Sequence, residues 1–78
     1  MPTWVHADQE LIESVKRAGG KIVRVGFKPW AYFYGDDAEE RGKAVVQDFL
    51  EMYECQPKFA GRRWRDDQNF DYAIRLDL

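Results

Sequence analysis

The chain has 78 residues, with 12 Lys and Arg against 14 Asp and Glu, which gives a formal net charge of −2. This length predicts one domain, spanning residues 1–78, with a small core relative to its surface. The balanced charge argues against the general basic footprint of a nucleic-acid-binding protein. Three Trp, four Tyr and five Phe can fill a small core, because each buries a large area.

Cysteine usage and hydropathy indicate the compartment. Cys55 is the single cysteine, so no intramolecular disulfide can form and a reducing compartment is predicted. The N-terminal residues lack the charged-then-apolar pattern of a signal peptide. No apolar run approaches the ~20 residues that a membrane helix needs. We therefore expect a cytoplasmic protein that does not associate with a membrane.

Residues 8–18 predict the first helix. Their apolar side chains recur at helical spacing, and Asp8 is a suitable N-cap. Gly19 and Gly20 follow this stripe and predict a left-handed stop. The preceding segment, residues 3–7, could add an edge strand to the sheet.

The next segment predicts a β-hairpin. Residues 21–27 alternate and are rich in β-branched side chains, and residues 30–35 form a second strand. Lys28 and Pro29 are placed in the turn, because proline cannot donate to a ladder hydrogen bond. Gly26 is interpreted as a bulge in the first strand.

A second helix is predicted over about residues 37–55. Asp37 and Glu40 have the spacing of a capping box, with Asp in place of Ser or Thr. Gly42 lies inside this helix, where glycine costs up to about 1 kcal/mol relative to alanine. We interpret Gly42 as a point where the sheet or a partner approaches the helix closely.

The last segment predicts a second hairpin, with strands at residues 58–65 and 70–78. The final strand alternates apolar and polar residues. Its predicted core face holds Phe70, Tyr72, Ile74, Leu76 and Leu78, and its predicted solvent face holds Asp71, Ala73, Arg75 and Asp77. The element order is α-β-β-α-β-β. We predict an α+β fold in a single small domain, with a four-stranded, mostly antiparallel sheet and two helices packed on one face.

The sequence offers little for catalysis or metal binding. The candidate nucleophiles and bases Thr3, His6, Ser14 and Cys55 each occur once, and nothing in the sequence pairs them. Residues 67–71 have the D-x-N-x-D spacing that begins an EF-hand loop, but the required Gly and Glu are missing. We expect no enzymatic activity, no cofactor and no metal.

A basic and aromatic patch is the first candidate for binding. Its residues are Trp30, Tyr32, Tyr34, Arg62, Arg63, Trp64 and Arg65. These residue types are enriched at interface hot spots, and they also stack on unpaired bases. Trp30, Tyr32 and Tyr34 share one side of their strand, opposite Phe33. If the helices cover Phe33, the other three form an exposed surface; in the opposite case they fill the core and Trp64 is the better candidate.

An acidic patch is the second candidate, and it comprises Asp36, Asp37, Glu39 and Glu40. The first interpretation is a charged helix start, because the helix dipole favours negative charge there. The alternative is a negative surface that docks on a basic partner, even one that normally holds nucleic acid.

One segment resembles a known family. Residues 10–25, ELIESVKRAGGKIVRV, are similar to the start of HicA-type toxin ribonucleases and related small RNA-binding domains, which have a helix, a glycine-containing break and then a strand. The family continues with Gly-Ser-His, whose His is catalytic, whereas this chain continues with Gly26-Phe27-Lys28-Pro29. The resemblance implies an RNA-binding domain that lacks the catalytic His.

Taken as a whole, the sequence favours a small non-enzymatic protein-binding module that blocks a surface of a larger partner, even one that handles nucleic acid. In length, mild acidity and lack of catalytic motifs it is similar to inhibitors encoded by phages and mobile elements, including anti-CRISPR proteins. The alternative is a single-stranded nucleic-acid-binding domain that uses the sheet aromatics and arginines. The sequence also leaves open whether the protein forms a homo-oligomer.

Overall fold

A computed structural model describes residues 4–77 of the chain, and the side chains of residues 9–77. Helices and strands follow one another in the order α-β-β-α-β-β, which confirms the predicted order. The bounds are Trp4–Arg17 for α1, Lys21–Val25 for β1, Lys28–Phe33 for β2, Ala38–Tyr53 for α2, Ala60–Arg62 for β3 and Tyr72–Arg75 for β4.

The strands form one antiparallel sheet in the order β1-β2-β4-β3. Strand β4, the last in the chain, therefore lies between β2 and β3. The register sets Ala31 opposite Ile74 and Phe33 opposite Tyr72, so these four side chains share one face of the sheet. Both helices pack on that face, which confirms the predicted α+β arrangement.

The main core lies between this face and the helices. Helix α1 contributes Leu11 and Val15, and α2 contributes Val45 and Phe49. Each pair is four residues apart, so its two side chains lie on the same side of their helix. Phe33 from β2 is fully buried among them.

Gly42 permits a close contact between α2 and the Tyr72 ring of the sheet, as its position inside the helix predicts. A Cβ atom at this position would lie 2.5 Å from Cε2 of Tyr72 and would overlap neighbouring ring carbons. Only a residue without a Cβ lets the ring approach the helix backbone this closely.

Helix α1 begins earlier than the sequence predicts, at Trp4. The predicted N-cap Asp8 therefore lies within the helix, and residues 4–7 are helical, so the prediction of an edge strand there is wrong. This segment holds no glycine or proline that would stop the helix. Residue 3, the remaining part of that prediction, lies outside the described residues. The end of the helix is as predicted, with Gly19 at a φ of 77°.

The first hairpin turns at Gly26 and Phe27, so the predicted turn at Lys28 and Pro29 is wrong. Val25 pairs directly with Lys28, and Gly26 has a φ of 66°. A two-residue turn that begins on a glycine with positive φ matches the twist of the flanking strands, which is why it displaces the predicted bulge. Pro29 is accommodated inside β2, where its carbonyl accepts a hydrogen bond from the backbone N–H of Leu76 at 3.0 Å.

Arg41 joins the start of α2 to the end of α1. Asp37 occupies the N-cap position of α2, but its side chain makes no capping hydrogen bond. Its carboxylate pairs with Nε of Arg41 at 3.1 Å, so the predicted capping box with Glu40 does not form. The Arg41 guanidinium also donates to the carbonyls of Ala18, at 3.0 Å, and Gly19, at 3.2 Å.

Candidate functional site

The sheet face opposite the helices, which we call the open face, carries most of the predicted aromatic site. The register pairs Trp30 with Arg75 and Tyr32 with Ala73, so all four side chains project away from the helices. Phe33 points the other way and is fully buried in the main core. The helices therefore cover Phe33, and Trp30 and Tyr32 lie on the side that the helices leave open.

Five rings on the open face form a closed cycle of contacts, which we call the aromatic cluster. The ring centroids are 6.4 Å apart for Trp30 and Tyr32, 4.8 Å for Tyr32 and Phe70, and 5.9 Å for Phe70 and Trp64. The cycle closes through Phe59, at 4.9 Å from Trp64 and 5.6 Å from Trp30. Tilted and edge contacts of this kind contribute about 0.5–1.5 kcal/mol each beyond area burial. The cluster is thus a second, smaller core.

Two burial predictions for the last strand are wrong because of this cluster. The alternating pattern predicts Ala73 in solvent, but Ala73 is fully buried on the open face. The same pattern predicts Phe70 in the main core, but its ring contacts the rings of Tyr32 and Trp64. The alternating pattern fails here because β4 is a central strand, with side chains covering both of its faces. The core positions predicted for Tyr72, Ile74 and Leu76 are confirmed.

A cleft of about 420 Å³ opens beside Trp64. Its apolar walls are Val25, Trp30, Tyr32, Trp64 and Phe70, and its polar rim is Arg65, Asp67, Gln68 and Asn69. Trp64 remains 57% exposed, whereas Phe70, the neighbouring ring in the cluster, is buried. An exposed indole next to an apolar cleft is the kind of feature that anchors an interface.

The connection that presents Trp64 is held by its own hydrogen bonds. Gln68 Oε1 accepts from the backbone N–H groups of Trp64, at 2.8 Å, and Arg65, at 3.1 Å. Arg65 Nε pairs with Asp67 at 3.3 Å across the same turn. Gln68 is therefore a positioning residue for the exposed indole, and sequence patterns gave no signal for it.

The four residues predicted from the third strand do not all lie in one patch. Trp64 belongs to the aromatic cluster and Arg65 to the rim of the cleft. Arg62 projects to the helix side, where its Nη2 lies 2.5 Å from Glu39 Oε2. Arg63 is exposed, and its backbone N–H donates to the carbonyl of Asp71 at 3.3 Å. The structure thus separates Arg62 from the predicted basic patch.

The acidic patch is partly neutralised by neighbouring cations. Glu39 pairs with Arg62 and, at 3.4 Å, with Lys43, and these contacts lower the pKa of its carboxyl. Asp37 is engaged by Arg41. Asp36 and Glu40 are exposed members of the patch. This arrangement matches the charged helix start more closely than a continuous negative docking surface.

Tyr34 lies beyond the end of β2 and outside the cleft. The pKa of Tyr34 is raised above its ordinary value, mainly by partial burial and to a smaller extent by the nearby Tyr32 and Asp71. Its carbonyl accepts from Arg41. The three aromatics predicted together on this strand therefore divide, with two in the aromatic cluster and Tyr34 at the edge.

Sequence reasoning missed a group of charges at the other end of the open face, which we call the cation cluster. Arg75 contacts both carboxylate oxygens of Asp77 at 2.8 Å, and Asp77 Oδ2 also lies 3.3 Å from Lys58 Nζ and 3.8 Å from Lys28 Nζ. Hydrogen bonds from Arg75, and then from Lys58, hold the pKa of Asp77 far below its ordinary value. Three cations thus surround one carboxylate.

Two of the four candidates for catalysis, Ser14 and Cys55, have described side chains. Ser14 is buried and its Oγ donates to Asp48 Oδ2 at 2.5 Å, which joins the two helices. Cys55 is a free and exposed thiol. Thr3 and the His6 side chain lie outside the described residues. Within the described side chains, no three His, Cys, Asp or Glu groups come together as a metal site would require. None of the described helices has the length and apolar character needed to cross a membrane.

Comparison of the chain with protein-family models, with curated proteins and with solved structures finds no match in any of the three. The geometry and chemistry of the open face are therefore the basis for inferring a function. The similarity of residues 10–25 to HicA-type domains stays a prediction.

Proposed function

We propose that this protein is a non-enzymatic protein-binding module, and that its cleft receives an apolar side chain of a larger partner protein. The observation that carries the proposal is the 57% exposure of Trp64, which lines the cleft together with four other apolar or aromatic residues. A Trp can bury up to about 250 Å². Covering the exposed fraction would contribute on the order of 3 kcal/mol at about 25 cal/mol per Å².

The organisation of the aromatic cluster favours a protein partner. Base stacking along a nucleic-acid strand needs several rings with exposed faces. Here Trp30 and Tyr32 are half-buried against neighbouring rings and Phe70 is buried, so Trp64 is the cluster's most exposed ring. One exposed indole next to a concave apolar wall suits a partner's side chain better than a run of bases.

We propose further that the module acts by occlusion, as an inhibitor that covers a functional surface of its partner. The support is the resemblance in profile to small inhibitors encoded by phages and mobile elements, including anti-CRISPR proteins. Under that proposal the partner is a nucleic-acid-handling protein and the compartment is the reducing cytoplasm, where the exposed Cys55 thiol would stay reduced.

The second candidate is single-stranded nucleic-acid binding through the same face. The observation that favours it is the excess of positive charge in the cation cluster next to Trp30. Binding of this kind would weaken steeply with salt, because cations released from phosphates drive the association.

Affinity capture from nuclease-treated lysate of the native host separates the two functions. The baits are the wild type, Trp64→Ala, and Phe27→Ala as the matched control. Phe27 is 95% exposed at the hairpin turn and does not line the cleft, so its replacement removes an exposed ring elsewhere. We expect the wild-type and Phe27→Ala baits to capture one partner protein in a nearly equimolar amount. The Trp64→Ala bait should not capture this protein.

Two results would contradict the proposal. One is a set of captured proteins that does not change when Trp64 is replaced, although NMR spectra show that the variant is folded. The other is recovery, without nuclease treatment, of nucleic acid alone that is released by moderate salt, which would establish the second candidate.

A further inference from the structure

The cation cluster holds more positive charge than its carboxylate neutralises. Arg75 satisfies both oxygens of Asp77 in a bidentate pair, and Lys58 and Lys28 add contacts at 3.3 and 3.8 Å to one of the same oxygens. Three positive groups therefore face one negative group among the described side chains. The two ammonium groups contact the same oxygen, so they are held close together and repel each other.

These two lysines keep unused hydrogen-bonding capacity. An ammonium group has three donors, and among the described residues each lysine contacts one carboxylate, that of Asp77. The side chains of Lys28 and Lys58 are 54% and 47% exposed, so further donors face solvent. A second anion placed between the two ammonium groups would relieve their repulsion and accept charge-assisted hydrogen bonds.

The cation cluster directly adjoins the cleft. Lys28 pairs across the hairpin with Val25, which lines the cleft, and Arg75 pairs across the sheet with Trp30, which also lines it. Directly opposed residues in antiparallel strands have Cα atoms about 4.5–5.5 Å apart. A short extended segment in the cleft would therefore reach the two lysines within one or two residues.

We propose that Lys28 and Lys58 bind a carboxylate of the same partner segment whose apolar side chain fills the cleft. The inference rests on the proposed protein-binding function and specifies its ligand as a segment with a large apolar residue one or two positions from an Asp or Glu. Asp77 and Arg75 serve as the support that holds the two lysines in place.

The charge distribution favours a protein carboxylate over a nucleic-acid backbone. A nucleic-acid strand carries a phosphate at every nucleotide and would need cations along its whole path. At the Trp64 end of the cleft, Arg65 is paired with Asp67, so the excess positive charge lies at the opposite end. One localised anion site beside an apolar cleft matches a segment with one or two acidic residues.

Selection from a random dodecapeptide library displayed on phage tests this inference with purified protein. The targets are the wild type, Lys28→Gln/Lys58→Gln, Trp64→Ala, and Lys16→Gln/Lys43→Gln. The last variant is the matched control, because it removes the same charge from exposed positions on the two helices. Lys28→Gln/Lys58→Gln leaves Asp77 paired with Arg75, and NMR spectra of each variant report whether its fold is retained.

We expect wild-type and control targets to enrich peptides with a large apolar residue close to Asp or Glu. Affinities of synthetic selected peptides are then measured by fluorescence anisotropy. Replacing the peptide's Glu with Gln should weaken binding to the wild type about tenfold, as expected for one lost charge-assisted hydrogen bond. The same peptide change should have no effect on Lys28→Gln/Lys58→Gln.

The outcomes separate failure of the inference from failure of the proposed function. Apolar peptides without acidic preference, whose binding depends on Trp64, would overturn the carboxylate site and leave the protein-binding function standing. No enrichment, or peptides insensitive to Trp64→Ala, would overturn both. Binding of a labelled twelve-nucleotide oligothymidylate that depends on Lys28 and Lys58 and displaces the peptides would assign the lysines to phosphate instead.

Discussion

Replacing Gly42 with alanine tests the close contact between α2 and the Tyr72 ring, because two opposing effects meet there. Alanine favours the helix over glycine by about 1 kcal/mol. Its Cβ, however, would lie 2.5 Å from Cε2 of Tyr72, whereas carbon atoms normally pack about 3.5–4.0 Å apart. Helix or ring must therefore move by about 1 Å, and overpacking of this kind costs about 1–3 kcal/mol. We expect Gly42→Ala to lower the free energy of unfolding by about 1 kcal/mol.

The assay is urea unfolding monitored by circular dichroism, and it includes two companion variants. Ala44→Gly, at an exposed position of the same helix, measures the helix-propensity effect alone and should cost about 1 kcal/mol. Tyr72→Val removes the ring atoms nearest to Gly42. In the Tyr72→Val background, Gly42→Ala should become stabilising by about 1 kcal/mol, because only the propensity effect is left.

This reversal of sign is the decisive result. If Gly42→Ala stabilises the otherwise unchanged protein by as much as Ala44→Gly destabilises it, the Tyr72 ring does not limit the helix. The glycine would then be unrelated to the approach of α2 to the sheet, and the packing argument would be refuted.

Two further predictions concern the charged groups that tie elements together. Arg41→Met should lower the free energy of unfolding by about 2 kcal/mol in urea titrations, because carbonyls including that of Ala18 lose a charged donor; an unchanged midpoint would contradict this role. Asp77 has a folded-state pKa below its ordinary value, so its stabilising contribution is present above about pH 4 and is lost as the pH falls further. The difference in unfolding free energy between wild type and Asp77→Asn should therefore shrink below about pH 4, and a constant difference would argue against the Arg75 pairing.

Local patterns were sufficient for much of the fold. The alternation of Tyr72, Ile74 and Leu76 predicted their burial in the core, because a strand places alternate side chains on one face. The stop after α1 followed from Gly19, and the close approach at Gly42 followed from its cost inside a helix. Each of these inferences depends on residues that are neighbours along the chain.

The predictions from sequence were wrong where two local patterns of similar strength favoured different structures. The rarity of proline in strands predicts a turn at Pro29, yet Gly26 and Phe27 form the hairpin turn and Pro29 is accommodated in β2. Asp37 was assigned a capping role through its side chain, yet Arg41 competes for the same carboxylate. Sequence spacing alone does not measure which of two nearby partners wins.

The sequence by itself determined the element order, the α+β class and the aromatic candidates Trp30, Tyr32, Tyr34 and Trp64. The tertiary structure decided what these residues do. Strand β4 lies between β2 and β3, and this order brings Phe59 and Phe70 from separate segments into one cycle with three of the predicted rings. It likewise brings Lys28 and Lys58 to Asp77, which Arg75 contacts from two residues away. These contacts join positions far apart in the chain, and strand order, which no local pattern encodes, determines which of them can form.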